Sequence, residues 1–182
     1  MMPVLSGKKS NATHGIASRK KMNEGEVVAL DLSGVYKRYH VNAARTYHVG
    51  KPDPELARVA KLAEGAMTVA TDLLRPNLPV SELNRAVKSY YEETGLWDSR
   101  GWVGGYEMGI SFFSDWVGNF VYDPLSDKNA DRVFEPNTAV NYEIQVFLPG
   151  HAGQFFVVES FLFHEDRVVQ ATDGVPYELM ET

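Results

Sequence analysis

Two stretches near the carboxyl end of the chain, TAVNYEIQVFL and GQFFVVESFLF, change side-chain character at every second residue. Successive side chains of a β-strand point to opposite faces of a sheet, so this period of two predicts strands. We place them at about 138–148 and 154–164. Each strand then has two faces of different chemistry, and the polar residues on those faces are the first candidates for a functional site.

The second of these strands sets an acid among large apolar side chains. Glu159 shares its predicted face with four of them: Phe155, Val157, Phe161 and Phe163. An ionised carboxylate in such surroundings costs several kcal/mol unless a cation, a metal or hydrogen bonds compensate it. On the first strand, Glu143 lies on a polar face with Asn141 and Gln145, and that face could simply be solvated.

A third acid interrupts the segment VALDLSGVYKRYHVNAARTYHVG. Asp31 shares a strand face with Val27 and Ala29, a turn is predicted near Gly34, and two further short strands are predicted over 39–41 and 46–49. The pattern puts no Lys or Arg on the faces of the three acids, which favours a cation site or a cluster that shares protons. The alternative is that each acid is exposed at an edge or paired with a distant Arg.

Helix signals follow the strands. Asp53 is the predicted N-cap of a helix that begins at Pro54 and ends before Arg75-Pro76, and a second helix is predicted from about Ser81 to Thr94. Residues 1–26 and the segment between the second helix and residue 138 are predicted to be loops. The chain is therefore expected to have an α+β fold.

Composition narrows the classes of function. The 182 residues are 44% hydrophobic, enough for one domain with a real core, and the net charge of −6 comes with no basic run, so nucleic acid is not an expected partner. The chain has no cysteine, so a metal would be held by oxygen and imidazole ligands. No apolar run approaches the ~20 residues of a membrane span, and no signal peptide is apparent, so we expect a cytoplasmic protein without a membrane partner.

The order of the motifs resembles the pita-bread family of methionine aminopeptidase, Xaa-Pro dipeptidase and creatinase. The resemblance rests on NATHGIASRKKMNEGEVVALDLSGVYKRYHVNAARTYHVGKP, GGYEMGI, VFEPNTAVNYEIQV and VVESFLF. It implies a curved antiparallel sheet covered by helices, in a single domain over residues 1–182 that lacks the N-terminal part of the family domain. The exposed sheet edges of such a shortened form lead us to expect a homodimer.

In this family an Asp–Asp–His–Glu–Glu set holds two divalent metals. By resemblance, the metal ligands would be Asp31, Asn42, Glu143 and Glu159. Asn42, however, stands where the bridging Asp belongs, Tyr106 where the His belongs, and Phe113 where a further His is expected. An uncharged amide and a phenol are weak ligands, so the cofactor is either one divalent metal (Mn, Zn or Co) or none.

The resemblance also suggests the other site residues. The predicted catalytic residues are His14, His40, Glu143 and Glu159, and the predicted substrate-binding residues are Tyr106, Phe113 and Trp116. For His14 the alternative is an exposed loop position, and for His40 it is packing beside Tyr39. The aromatic residues after Tyr106 could equally belong to the core.

The resulting functional prediction is a hydrolase related to Xaa-Pro dipeptidase and creatinase, acting on a peptide or a small C–N substrate through a degenerate metal site. GVYKRYHVNAART and GYEMGISFFSDW are most similar to an ectoine-hydrolase-like or creatinase-like branch. The alternative is a pseudoenzyme that keeps the fold as a peptide-binding or scaffold module.

Overall fold

The computed structural model describes residues 3–12, 15–110, 120–148 and 150–182. Within them, nine strands and two α-helices follow one another, with short 3-10 helices at Gly7–Asn11 and Trp97–Ser99. The elements are β1 (Val4–Ser6), β2 (Val27–Tyr36), β3 (Tyr39–His48), α1 (Pro54–Leu73), α2 (Val80–Glu93), β4 (Arg100–Met108), β5 (Val121–Tyr122), β6 (Ala139–Phe147), β7 (Gln154–Phe163), β8 (Val168–Gln170) and β9 (Met180–Glu181).

The strands form one sheet in the order β1-β2-β3-β7-β6-β4-β5, with β8 beside β7 and β9 beside β3. Neighbours are antiparallel except β3 and β9, which are parallel. Since β3 is adjacent to β7, the strands from the two ends of the sequence meet in the middle of the sheet. This is the α+β, pita-bread architecture that the sequence predicts.

The helices cover one face of the sheet. The apolar stripe of α1 packs on β6 and β7, α2 packs on α1, and the buried residues of these elements form the main core. Its largest fully buried apolar side chains include Tyr91, Tyr122, Tyr142, Phe134, Phe155 and Phe161. The opposite face of the sheet is therefore the one left for polar side chains and a pocket.

Both predicted helices are confirmed. The Asp53 side chain accepts hydrogen bonds from the backbone N–H groups of Glu55 and Leu56, each at 3.0 Å, as an N-cap does. Four predictions about strands and turns are wrong. Residues 1–26 include β1, and the turn expected near Gly34 lies at residues 37–38, so Gly34 is inside β2. The two short strands expected after Gly34 are one continuous strand, β3, and both β4 and β5 lie in a segment expected to be loop.

The glycines of β4 explain why the sequence pattern did not predict that strand. Glycine is a poor strand residue, yet a Cβ at Gly104 would collide with the backbone of Tyr122, and one at Gly105 with the Asn141 carbonyl and the Tyr122 hydroxyl. Close approach of β5 and β6 to β4 therefore requires both glycines. They fix the backbone immediately before Tyr106.

A glycine inside α1 offers a test of the core packing. The Tyr90 hydroxyl of α2 donates a hydrogen bond of 2.9 Å to the Leu62 carbonyl and fills the space where a Cβ at Gly65 would lie. In a solvent-exposed helix Gly→Ala is stabilising, but here we expect Gly65→Ala to lower the free energy of unfolding by roughly 1–3 kcal/mol through overpacking. Denaturant unfolding of Gly65→Ala, Tyr90→Phe and the double variant measures this effect, because Gly65→Ala should cost less once the Tyr90 hydroxyl is absent. Additive effects of the two changes would contradict the predicted clash.

Candidate functional site

A row of directly paired residues crosses the sheet on the face away from the helices. Asp31 pairs with Ala44, Ala44 with Val158, and Val158 with Glu143, across β2, β3, β7 and β6. Directly paired residues of antiparallel strands lie on the same face. Two of the three predicted acids, Asp31 and Glu143, thus lie on one face although 112 residues apart in the sequence.

A small polar pocket lies over this row. Its volume is about 40 Å³, and its lining includes Asp31, Asn42, Tyr106 and Glu143 together with residues of β1 and the following 3-10 helix. A space of this size is large enough for a few water molecules. Four residues predicted from separate motifs are therefore brought together in one cavity.

Hydrogen bonds join the neutral and the acidic members of this pocket. The Asn42 Nδ2 donates to the Tyr106 hydroxyl at 3.3 Å, and the Tyr106 backbone N–H donates to the Asn141 Oδ1 at 2.8 Å. The Asn141 Nδ2 in turn donates to the Glu143 Oε1 at 2.9 Å. Asn141 is fully buried, and its two hydrogen bonds fix the backbone of Tyr106 and the carboxyl of Glu143.

Burial controls the acidity of Glu143. Loss of solvation raises the pKa of this carboxyl to about 7, and the negative charge of Asp31 acts in the same direction. Hydrogen bonds from Tyr106, Asn141 and Asn42 oppose the rise. A carboxyl with a pKa near neutrality can both accept and donate a proton at the pH of most cells.

Glu159 lies on the other face of the sheet. It pairs directly with Tyr142, one position away from the Glu143–Val158 pair, so its side chain lies on the helix-covered side. There it is fully buried, and its Oε2 is 2.9 Å from the Arg45 Nη2. The Thr172 backbone N–H and hydroxyl also donate to its carboxylate.

Pairing with a distant Arg, the alternative interpretation of the sequence, is therefore what the structure shows for Glu159, and Arg45 is the partner that sequence reasoning missed. Arg45 lies on β3, and it also donates hydrogen bonds to the carbonyls of Ala44 and Val158 and, farther along the chain, to that of Pro176. The Tyr177 ring lies 4.9 Å from its guanidinium carbon. The only sequence signal was the Arg-Thr dipeptide of AART, whose partner is more than 100 residues away.

The remaining predicted residues are placed as follows. His40 lies on the same β3 face as Asn42, as expected, and its Nδ1 is 3.3 Å from the Gly109 carbonyl oxygen. It does not belong to the part of the pocket lining that the structure describes. His14, Phe113 and Trp116 lie outside the described residues, so their roles stay predictions.

Comparison with known proteins identifies the family. The model of metallopeptidase family M24 matches residues 2–172. The chain belongs to this family. Among curated M24-like relatives, a probable dipeptidase PepE of Mycobacterium tuberculosis is 26% identical over 168 residues, and an Xaa-Pro dipeptidase of Pyrococcus furiosus is 24% identical over 150 residues.

Solved structures show the same fold. An X-Pro aminopeptidase from Thermotoga maritima superposes on the whole of this chain with a TM-score of 0.84 at 20% identity. An Xaa-Pro dipeptidase from Bacillus anthracis does so with a TM-score of 0.79 at 25% identity. The matches cover 92% and 82% of this chain for the two curated relatives but only 42% and 41% of theirs. They cover 49% and 48% of the two structures. The chain therefore spans about half, or less, of the length of the proteins it matches.

The donors on the pocket face do not fit the two-metal centre that the family implies. Asp31 and Glu143 are carboxylates, whereas Asn42 and Tyr106 are uncharged and hydrogen-bonded to each other. Glu159 is bound to Arg45 on the opposite face. In the described part of the chain, no three His, Asp or Glu side chains are grouped closely enough to hold a metal ion. Two divalent cations need more negative charge than this pocket supplies.

Replacing the buried Glu143 or the buried Glu159 by Gln should change the free energy of unfolding in different ways. In the folded chain burial raises the pKa of Glu143 to about 7, whereas in the unfolded chain this carboxyl has its ordinary pKa of 4.5. Wild-type stability therefore falls as pH rises between those values. Glu143→Gln removes this loss and should be more stable than wild type by roughly 3 kcal/mol above neutrality, with little difference at acid pH.

Glu159→Gln is the matched comparison. It leaves the buried Arg45 guanidinium without its counter-ion, so we expect a loss of roughly 3 kcal/mol or more at both acid and alkaline pH. Denaturant unfolding of both variants across the pH range measures the two effects. Equal responses of the two glutamates would contradict their placement on opposite faces.

Metal content tests the donor set. After purification without chelator and dialysis against Mn, Zn or Co, plasma mass spectrometry should find well below the two ions per chain of a dinuclear centre. Asn42→Asp/Tyr106→His restores a charged and an imidazole donor and should retain more Mn than wild type. Two tightly held ions in the wild-type chain would show that the neutral donors suffice.

Proposed function

We propose that this M24 chain hydrolyses a C–N bond of a peptide or small substrate with Glu143 as general base, without the two-metal centre of the family. The observation that carries the proposal is the position of Glu143. Its carboxyl lies in a small polar pocket beside Asp31 and has a pKa raised to about 7. A base of that pKa suits proton transfer at neutral pH.

In the proposed hydrolysis, Glu143 alone carries the proton from the attacking water to the leaving nitrogen. Its carboxylate takes a proton from a water molecule while the water oxygen attacks the carbon of the scissile C–N bond. The protonated carboxyl then gives that proton to the leaving nitrogen as the bond breaks. The pocket has room for a water molecule beside a small substrate group, and about 7% of Glu143 is exposed.

The neighbours of Glu143 have supporting roles in this proposal. Burial is the main cause of the raised pKa of Glu143, the negative charge of Asp31 adds to it, and Asn141 fixes the orientation of the carboxyl. The Tyr106 hydroxyl and the Asn42 amide are two further neutral donors to this carboxyl. Donors placed around a reacting centre stabilise negative charge that develops on an oxygen.

The named relatives support the reaction class only coarsely. They are described as dipeptidases and Xaa-Pro dipeptidases, at about a quarter identity and over less than half of their length. Peptide hydrolysis is therefore one form of the proposed activity, and hydrolysis of a small non-peptide C–N substrate is the other.

A second candidate is a non-catalytic peptide-binding or scaffold module. It is favoured by Asn42 and Tyr106, which stand at two ligand positions of the family and are hydrogen-bonded to each other. The fold would then be kept while the chemistry is lost. This candidate predicts peptide binding without turnover.

Kinetics of Glu143→Gln decide between the candidates. On a panel of Xaa-Pro dipeptides, small amides and amidines, we expect turnover by wild type and a decrease of roughly 100-fold or more in the variant. The wild-type kcat/KM should fall about tenfold per pH unit below the pKa of about 7, because only the ionised base is active, and level off above it.

Glu107→Gln is the matched control. Glu107 follows Tyr106 on β4 and pairs with Val140, on the opposite face from the pocket. This variant removes the same charge and should keep wild-type turnover. Unchanged kinetics in Glu143→Gln would remove Glu143 from the mechanism, and binding without turnover by wild type would favour the non-catalytic candidate.

A further inference from the structure

A second pocket lies beside β1 and shares no described lining residue with the small polar pocket. Successive residues of β1 line different pockets, since Leu5 lines the polar pocket and Ser6 the second one. The volume of the second pocket is about 400 Å³, against about 40 Å³ for the polar pocket. A volume of several hundred Å³ is typical of cavities that bind small molecules. The second pocket is therefore large enough for a ligand of its own.

The charges that line this second pocket do not balance. Three lysines, Lys8, Lys9 and Lys20, meet a single acid, Glu26, so the described lining carries a net charge of +2 with His151 counted as neutral. The chain as a whole carries a net charge of −6. We call this cavity the basic pocket, because its sign is opposite to that of the chain, and a local excess of positive charge attracts anions.

The single acid of the basic pocket is already neutralised. The Lys20 Nζ lies 2.7 Å from the Glu26 Oε1 and also donates to the Lys21 carbonyl. The backbone N–H and the side-chain amide of Asn23 donate to the same carboxylate, at 3.2 and 3.1 Å. Glu26 and Lys20 therefore balance each other, and the uncompensated charge belongs to the other two lysines.

Lys8 and Lys9 have free hydrogen-bond donors. The Lys8 ammonium forms no hydrogen bond or ion pair with a described residue. The Lys9 ammonium has one such contact, a hydrogen bond of 3.4 Å to the Ile16 carbonyl, which carries no charge. Both charges are therefore available to an anion in the basic pocket.

Ser6 points independently to an acceptor in the same place. It is only 8% exposed, and its hydroxyl oxygen accepts a hydrogen bond of 3.2 Å from the Lys20 Nζ. The hydroxyl hydrogen is not donated to any described residue. Buried hydroxyl groups normally use their donor, because a desolvated donor without a partner is costly. A ligand that accepts hydrogen bonds would satisfy this group.

We propose that the basic pocket binds a small organic phosphate, whose phosphate group is held by Lys8, Lys9 and the Ser6 hydroxyl. A phosphate monoester carries nearly two negative charges at neutral pH and has three strong acceptor oxygens. It therefore matches both the net charge of +2 and the free donors, whereas a carboxylate supplies only one negative charge. A phosphate group fills only a small part of about 400 Å³, which leaves room for an organic group beside Val27 and Ala152.

This inference goes beyond the proposed function, because it concerns a different pocket. Binding of the phosphate is measured without turnover, so its result does not depend on whether the chain hydrolyses a C–N bond. Failure of one proposal is therefore distinguishable from failure of the other.

Aromatic probes of different charge test the ligand class. Phenyl phosphate, benzoate and benzyl alcohol share a ring and carry about two, one and no negative charges at about pH 7.5. Ligand-observed NMR of the ring protons, with the full chain in Tris buffer at low salt, gives the three affinities. We expect phenyl phosphate to bind roughly fivefold or more tightly than benzoate, and benzyl alcohol not to bind detectably. Inorganic phosphate should displace phenyl phosphate but bind more weakly, since it lacks the organic group.

Charge variants locate the bound probe. Lys8→Gln should weaken phenyl phosphate binding by roughly fivefold, because it removes one of the two free charges. Lys128→Gln is the matched control, since it removes the same charge from an exposed turn that does not line the basic pocket, and it should leave the affinity unchanged. Both lysines are exposed, so both variants should fold as wild type does. Ser6→Ala, checked for folding by thermal unfolding, should weaken binding by roughly threefold.

Several results would overturn the inference. They are no detectable binding of phenyl phosphate at millimolar concentration, equal affinity for phenyl phosphate and benzoate, and equal effects of Lys8→Gln and Lys128→Gln. Equal affinity for inorganic phosphate and phenyl phosphate would also overturn it, because the pocket would then hold a free anion rather than an organic phosphate. Preference for phenyl phosphate that Lys8→Gln reduces and Lys128→Gln does not would support it.

Discussion

The contact between β3 and β7 joins β1–β3 to the strands on the other side of the sheet. Most of its hydrogen bonds involve side chains rather than a regular backbone ladder. One residue pair, Ala44–Val158, is in direct register. On either side, the Thr46 hydroxyl bonds to the backbone of Phe156, and the Ser160 hydroxyl to the backbone of Asn42, at 2.7–3.0 Å. The Arg45–Glu159 ion pair lies on the helix-covered side of the same junction. Because a buried charge is stable only with its partner, this pair requires β3, β7 and the segment around Thr172 to assemble together.

The junction also separates two kinds of acid. Glu143 and Glu159 lie on neighbouring strands, yet a difference of one position in register puts them on opposite faces. Glu159 is buried and forms an ion pair with Arg45. Glu143 faces a small pocket and Asp31, and its pKa is raised to about 7 by burial. Among the described residues, Glu159 thus has a cationic partner, whereas Glu143 lines a pocket whose described lining contains no Lys, Arg or His.

The pocket combines an acid pair with two neutral residues. Asn42 and Tyr106, for which the family resemblance predicts an Asp and a His, are joined by a hydrogen bond, and uncharged amide and phenol groups are weak ligands for divalent cations. The carboxylates are left to interact with each other, with water and with a ligand. Glycines at 104 and 105 allow the strands to approach closely enough to support Tyr106.

The sequence by itself determined the family, the two helices and the strands that alternate clearly, because local periodicity and capping depend on neighbouring residues. It also selected Asp31, Asn42, Tyr106 and Glu143, which the structure brings into one pocket. It did not reveal β4, whose glycines hide a strand that only close packing explains. Nor did it reveal the partner of Glu159. Arg45 lies 114 residues earlier in the chain, and which acid meets it depends on strand register, which is a property of the assembled sheet.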